Sequence, residues 1–285
     1  SAMVGHFHQM GFYASGFRTE QGLIALLSGF PSQPASTVIR HFGKFENLPH
    51  LGRILSDNYY TNNYYYSGNL SYANTKSYLY AGGFTKIIGE EHDWKNKTRW
   101  GAYDEELFNY HLKHASEDKQ PFFSIIMTST NHEPFDGKVE KVFSGEGTTS
   151  DYKNTSYYTD KCIVNYLREA KNKPWYSNTL FVIVSDHAHS YPRHHAHNVP
   201  LRHHIPFILF GDVIKPEFIG SVIDKTASQV DFPAIILNQL KIDSKDFKWS
   251  KNIFDNKSPQ FAFYSFDNGF GLITPEEYVI YDHNK

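Results

Sequence analysis

The chain has 285 residues and a net charge of −2, so it lacks the basic footprint of a nucleic-acid-binding protein. Its single cysteine, Cys162, excludes an internal disulfide and any cysteine-based zinc centre. Length and a 40% hydrophobic content suit one large α/β domain or two small ones. No apolar run approaches the ~18 residues of a membrane span, no signal peptide is visible, and the opening Ser-Ala-Met reads as a cloning remnant to be set aside.

In chain order, the first informative stretch is ASGFRTEQGLIALLSG (14–29). A helix is expected over 21–30, with Thr19 just before it. A threonine there is either a plain N-cap or, with a metal to lower its pKa, a nucleophile at an anion-favouring helix N-terminus. Further helices are expected at 46–57, 71–81 and 103–117. The aromatic segment 59–80, which includes Tyr66, either lines a pocket or packs beneath a loop.

The run FFSIIMT (122–128) reads as a buried, parallel-type strand, and TSTNHEPFD follows it with His132. That histidine could donate to a phosphoryl or sugar oxygen, or simply be held in its loop. A helix is expected over 156–171, with Cys162 a small apolar residue on it. TLFVIVS (179–185) and PFILF (206–210) are two more parallel-type strands. Between them, from 184 to 204, lie seven histidines and Asp186. An Asp–His pair leaving a strand suits Zn²⁺, Mn²⁺ or Mg²⁺, or else a capping Asp and a solvated His. The remaining histidines, His204 among them, are solvated or touch substrate. A late helix is expected over 227–240. The tail FAFYSF, GFGLI, EYVIYD reads as a small antiparallel meander too small to fold alone. Alternating strands and helices argue for a mostly parallel sheet with ligands at its strand ends.

Taken in order, GFRTEQG, PFFSIIMTSTNHEPF, LFVIVSDHAH, HHIPFILFG and QVDFPAIILNQL resemble the sulfatase-like branch of the alkaline phosphatase superfamily. Within it they are most similar to the lipoteichoic acid synthase and phosphoglycerol transferase group. The resemblance runs from about residue 10 to 240, and 64–88 also fits.

The resemblance implies a three-layer α/β/α sandwich with a mostly parallel central sheet over residues 4–245. The small β appendage at 246–285 would pack on it. It implies Thr19 as nucleophile and as a ligand, with Asp186 and His187, of one divalent cation: Mn²⁺ or Mg²⁺, with Zn²⁺ a third choice. His132 falls in the substrate pocket, and Arg18, His204 and Tyr66 are further candidates for substrate contact. The implied substrate is a phospholipid head group or glycerophosphate, at the extracytoplasmic face of a membrane reached through an N-terminal anchor.

Two departures stand out. Ala188 occupies the position where the group usually has Gly. The group also carries an acidic ligand at the end of a first strand tens of residues before the nucleophile, whereas the 18 residues before Thr19 contain no acid. That strand and ligand are therefore expected to lie outside this chain, leaving its ion weakly held or absent. Oxidation to formylglycine needs Cys or Ser in C/S-x-P-x-R, and neither Cys162 nor Ser32 has that context. A hydrolase of phosphomonoesters or sulfate esters is the second reading. A non-catalytic, histidine-rich domain binding metal or glycan is the third.

Overall fold

The computed structural model describes residues 2–6, as backbone, and 11–284; Ser1 of the leader set aside above lies outside them. In chain order the elements are β1 (Ala2–His6), β2 (Phe12–Tyr13), α1 (Thr19–Ser28), α2 (Phe42–Phe45), α3 (Leu51–Asp57), β3 (Thr61–Tyr66), α4 (Thr75–Ala81), β4 (Lys86–Ile88), α5 (Asp104–His114), β5 (Phe122–Met127) and α6 (Thr148–Ala170). They continue with β6 (Phe181–Val184), β7 (His204–Ile205), β8 (Phe207–Phe210), β9 (Ala227–Ser228), α7 (Phe232–Gln239), β10 (Ala262–Phe266), β11 (Gly269–Ile273) and β12 (Glu277–Asp282). The chain divides into two compact units. One comprises Ser1–Leu51, Phe181–Phe210 and Ile214–Lys285; the other comprises Gly52–Leu180 and Gly211–Val213.

The second unit is built on a parallel sheet in the order β4-β3-β5. Its central strand, TNNYYY, is too polar to stand out in the sequence as a strand. It is nevertheless buried, and the side-chain N–H groups of its two asparagines find acceptors there. The Asn62 carboxamide donates to the Gly52 and Gly83 carbonyls at 2.7 and 2.9 Å and to Ser56 Oγ at 2.7 Å. Asn63 donates to Asp118 at 2.8 Å, and Lys86 pairs with the same carboxylate at 2.8 Å. Strand alternation sends Tyr64 toward Phe84 on one face and Tyr65 toward Trp94, Ala102 and Leu107 on the other. Burial on both faces is the mark of a parallel sheet with helices on each side.

The aromatic segment accordingly splits. Tyr64, Tyr65 and Tyr78 are core, while Tyr59, Tyr72 and Tyr80 are exposed. Helix α6 begins at Thr148, eight residues before its expected start. Asn154 explains the extension, since its side-chain oxygen accepts the Val142 and Phe143 N–H groups at 2.8 Å each. Cys162 is buried on this helix, and burial pushes its thiol up to about 11.

The first unit holds three small sheets: β7-β2-β9, β6-β8, and the meander β10-β11-β12 with β1 added at its edge. Thus Ala2 and Met3, set aside as a remnant, lie in a strand opposite Tyr281 and Ile280. The expectation of parallel pairing fails for β6 and β8. They pair antiparallel to one another, with Val184 opposite Phe207. The connection between them contains no α-helix, and a parallel return would need a crossover of that kind.

The core of this unit gathers Phe12, Ala14, Ile205, Ala227, Ile235 and Ile253. The meander closes a second cluster, in which Tyr13 packs with Tyr264, Phe266 and Ile273. It is tied to the loop after β2 by the Ser265 N–H, which donates to the Ser15 carbonyl at 2.9 Å. Among the described residues no helix is long and apolar enough to cross a membrane.

Candidate active site

Strand β2 leads through Ser15 and Gly16 to Thr19, the first residue of α1. The turn is held from within the helix: Gln21 Oε1 accepts the Phe17 N–H at 3.0 Å. Thr19 is no plain N-cap, since Arg18 occupies that position. Its hydroxyl instead donates to Asp186 Oδ2 at 2.6 Å, joining residues 167 apart in the chain. Asp186 Oδ1 accepts the His187 N–H at 2.9 Å. His187 Nδ1–H donates to the Ala188 carbonyl at 3.0 Å, and His187 Nε2 lies 3.6 Å from Asp186 Oδ2. In the neutral ring the Nε2 lone pair is therefore available beside Asp186. Hydroxyl, carboxylate and imidazole converge at the N-terminus of a ten-residue helix, where the macrodipole favours negative charge. Ala188 is not among the residues with positive φ, so the departure from Gly at this position carries no backbone strain.

Two residues that the motifs did not single out bring these loops together. Gln229, fully buried, uses its whole carboxamide. Oε1 accepts the Ser15 N–H at 2.9 Å, and Nε2 donates to the Ser185 and Asp186 carbonyls at 2.8 and 2.7 Å. Gly22 lets α1 lie directly on the Asp186 backbone, because a Cβ there would overlap the Asp186 carbonyl oxygen. Both stand in segments that carried the family resemblance. Only their long-range contacts reveal what they do.

Arg18 is half-exposed, 3.7 Å from Asp267, and lines a cleft of about 80 Å³ with Phe17, Glu20 and Gln21. Arg40 lines the same cleft and lies 3.4 Å from the buried Glu20. His204, on β7, contacts Tyr13 and abuts Gly11 at the start of β2. The other histidines serve several surroundings. His189 and His194 flank the Tyr191 ring, and His197 sits edge-on to Phe17. His203 is fully buried, stacks on Tyr264 and donates from Nε2 to the His197 carbonyl at 2.8 Å.

The second unit carries Tyr66 and His132 at the carboxyl ends of β3 and β5. The loop bearing His132 is fixed by Asp104, a buried residue that the motifs also did not single out. Asp104 Oδ1 accepts the Ser129 and Thr130 N–H groups at 2.9 and 3.0 Å, and Oδ2 accepts the Thr159 hydroxyl at 2.6 Å. Gly68 sits where a Cβ would meet both the Tyr66 ring and the Trp100 carbonyl oxygen, so these loops approach closely.

Thr19 Oγ1, Asp186 Oδ2 and His187 Nε2 are donors of the type that a divalent cation takes, and their convergence fits part of such a site. Among the described residues no group of three or more His, Cys, Asp and Glu side chains completes it.

Comparison with known proteins gives the family and the fold. The sulfatase family model matches residues 8–242. The lipoteichoic acid synthase of Staphylococcus aureus (strain USA300) is 30% identical over 166 residues, covering 54% of this chain and 26% of that protein. The chain thus spans about a quarter of the length of the curated relatives that it matches. A solved alkaline phosphatase superfamily protein from Vibrio parahaemolyticus superposes with a TM-score of 0.84 at 25% identity, covering 96% of this chain and 68% of that one. The lipoteichoic acid synthase LtaP of Listeria monocytogenes has the same fold, with a TM-score of 0.78 at 17% identity over 94% and 71% of the two chains. The Streptococcus pyogenes phosphoglycerol transferase GacH, solved with sn-glycerol-1-phosphate, gives 0.59 at 17% identity over 91% and 72%. The α/β fold with its small C-terminal antiparallel sheet is therefore alkaline-phosphatase-like, and the chain belongs to the sulfatase family, a branch of that superfamily of enzymes.

Proposed function

We propose that this chain is the catalytic part of a phosphoglycerol transferase or phosphodiesterase acting on lipid head groups or glycerophosphate, with Thr19 as its nucleophile. The observation that carries the reading is the 2.6 Å hydrogen bond from Thr19 Oγ1 to Asp186 Oδ2 at the N-terminus of α1. A hydroxyl so placed has its proton directed at a carboxylate. Thr19 Oγ1 attacks phosphorus as its proton is held at Asp186 Oδ2. The Oγ1–P bond forms, the bond from phosphorus to the lipid oxygen breaks, and the lipid leaves as an alcohol after taking up a proton. Transfer to an acceptor hydroxyl, or to water, then releases Thr19.

Thr19, Asp186 and His187 would hold a divalent cation, Mn²⁺ or Mg²⁺. When bound, the cation supplies positive charge to the phosphoryl oxygens and lowers the hydroxyl pKa. We further assign substrate contact to His132, Tyr66, Arg18 and His204, with residues 4–245 as the catalytic domain and 246–285 packed on it. The lipoteichoic acid synthase relatives support a site of action at the extracytoplasmic face of a membrane. Among the described residues the donor set is short, so we expect weak Mn²⁺ binding. A tight calorimetric isotherm would contradict that expectation.

The test is hydrolysis of a chromogenic phosphodiester by the protein in its natural full length with Mn²⁺. Thr19→Ala is expected to lower kcat by about 10³-fold or more with an unchanged melting temperature. Undiminished turnover by Thr19→Ala would remove Thr19 from the chemistry. A sulfate-ester hydrolase is disfavoured by the nucleophile itself, because a threonine in GFRTEQG cannot become formylglycine.

A further inference from the structure

We infer that Trp100 is a positioning residue for His132. Acting through the Glu133 carbonyl, it fixes the imidazole in the tautomer that carries its proton on Nδ1, so that the neutral ring offers an Nε2 lone pair to a substrate hydroxyl. The indole Nε1–H of Trp100 donates to the Glu133 carbonyl oxygen at 2.5 Å. His132 Nδ1 lies 2.8 Å from the same oxygen. A carbonyl oxygen only accepts, so Nδ1 must carry the hydrogen there. The two rings that share this acceptor also lie against one another, with centroids 4.3 Å apart and planes inclined by 40°.

Trp100 thus acts twice. It packs against the imidazole, and it orients the one carbonyl that selects the tautomer. Its own position is fixed in turn. The Trp100 carbonyl oxygen abuts Gly68, and the Arg99 N–H donates to the Asp136 carboxylate at 3.2 Å, within the loop that carries His132. Among the described residues His132 Nε2 has no hydrogen-bond partner.

The consequence concerns substrate class. A histidine presenting Nε2–H would recognise a phosphoryl or ether oxygen. One presenting a bare Nε2 recognises an O–H donor, such as a free hydroxyl of a glycerol or sugar group. Of the two roles considered for His132 from sequence, the loop role describes Nδ1, which is held by the Glu133 carbonyl, and the donor role does not describe the neutral Nε2. The geometry makes the neutral ring an acceptor. The substrate half of this inference rests on the reading of His132 as a substrate contact; the tautomer half does not.

The test is nitrogen-detected NMR of the His132 ring in the whole chain, at a pH where the ring is neutral. The signal is assigned by its loss in His132→Gln. The wild type is expected to show a protonated Nδ1 and a bare Nε2. Trp100→Phe keeps a ring against the imidazole but removes the indole donor. It should shift the population toward the Nε2–H form that free histidine prefers. In the active protein, Trp100→Phe should raise KM about tenfold for a glycerol-bearing phosphodiester, with KM unchanged for a chromogenic diester that has no hydroxyl. An Nε2–H form in the wild type, or a tautomer indifferent to Trp100→Phe, overturns the inference. A shifted tautomer with both KM values unchanged keeps the positioning role and overturns His132 as the hydroxyl contact.

Discussion

A methyl group at position 22 would sit on the Asp186 carbonyl oxygen, so Gly22→Ala is expected to push Asp186 away from Thr19. Displacements of about 1 Å at a reacting group cost on the order of 10²-fold in rate. Gly22→Ala should therefore lower kcat by about that factor while the far-ultraviolet circular dichroism stays native. Gln229→Ala acts on the same pair from the other side. It strips partners from the Ser15 N–H and from the Ser185 and Asp186 carbonyls. That should cost about 2–4 kcal/mol, read as a lower urea midpoint. Thr19, Asp186, His187 and His132 can be singled out in the sequence because their types fall within short motifs, and the first three converge in the structure. Gln229 and Gly22 cannot be singled out in this way, because their significance lies in contacts between segments far apart in sequence. Gln229 reaches the Asp186 carbonyl across 43 residues.

Among the elements, the apolar runs gave themselves away and the polar strand did not. FFSIIM stands where its composition put it, while TNNYYY became the centre of the parallel sheet through side-chain amides that no periodicity displays. The helices expected at 21–30, 71–81 and 103–117 are present with shifted ends, at 19–28, 75–81 and 104–114. The antiparallel pairing of β6 and β8 was missed because strand composition carries no information on direction. The loop after β5 depends on one carboxylate. Asp104→Asn keeps a carbonyl for the Ser129 and Thr130 N–H groups but faces the Thr159 hydroxyl with an NH₂ group. A loss of about 1–3 kcal/mol is expected. Hydrogen exchange should quicken over residues 128–136 before it does in the sheet, whereas uniform exchange across the second unit would count against this role.

For the whole molecule, two buried histidines set the acid limit of stability. Burial pushes His111 down to about 3, with Lys86 acting in the same direction. Burial pushes His203 down to about 4; Arg202 adds to this, and the bond to the His197 carbonyl opposes it. Both rings stay neutral in the folded chain, while the unfolded chain protonates each near its ordinary value of 6.5. Their contribution is therefore fully present above 6.5 and is lost as pH falls from there toward 4 and 3. Each ring removes up to about 1.4 kcal/mol per pH unit. Urea midpoints at a series of pH values should show this decline, and His111→Gln should reduce its slope. A flat profile between pH 7 and 5 would contradict the buried, neutral assignment.

Thr19 Oγ1 is the atom proposed to take the phosphoryl group. The direct measurement is peptide mass spectrometry of the protein quenched during turnover of a glycerophospholipid with Mn²⁺. A glycerophosphoryl adduct on the peptide carrying Thr19, absent from Thr19→Ala, is the predicted result. Turnover with no adduct at Thr19, or an adduct on another residue that persists in Thr19→Ala, would contradict it.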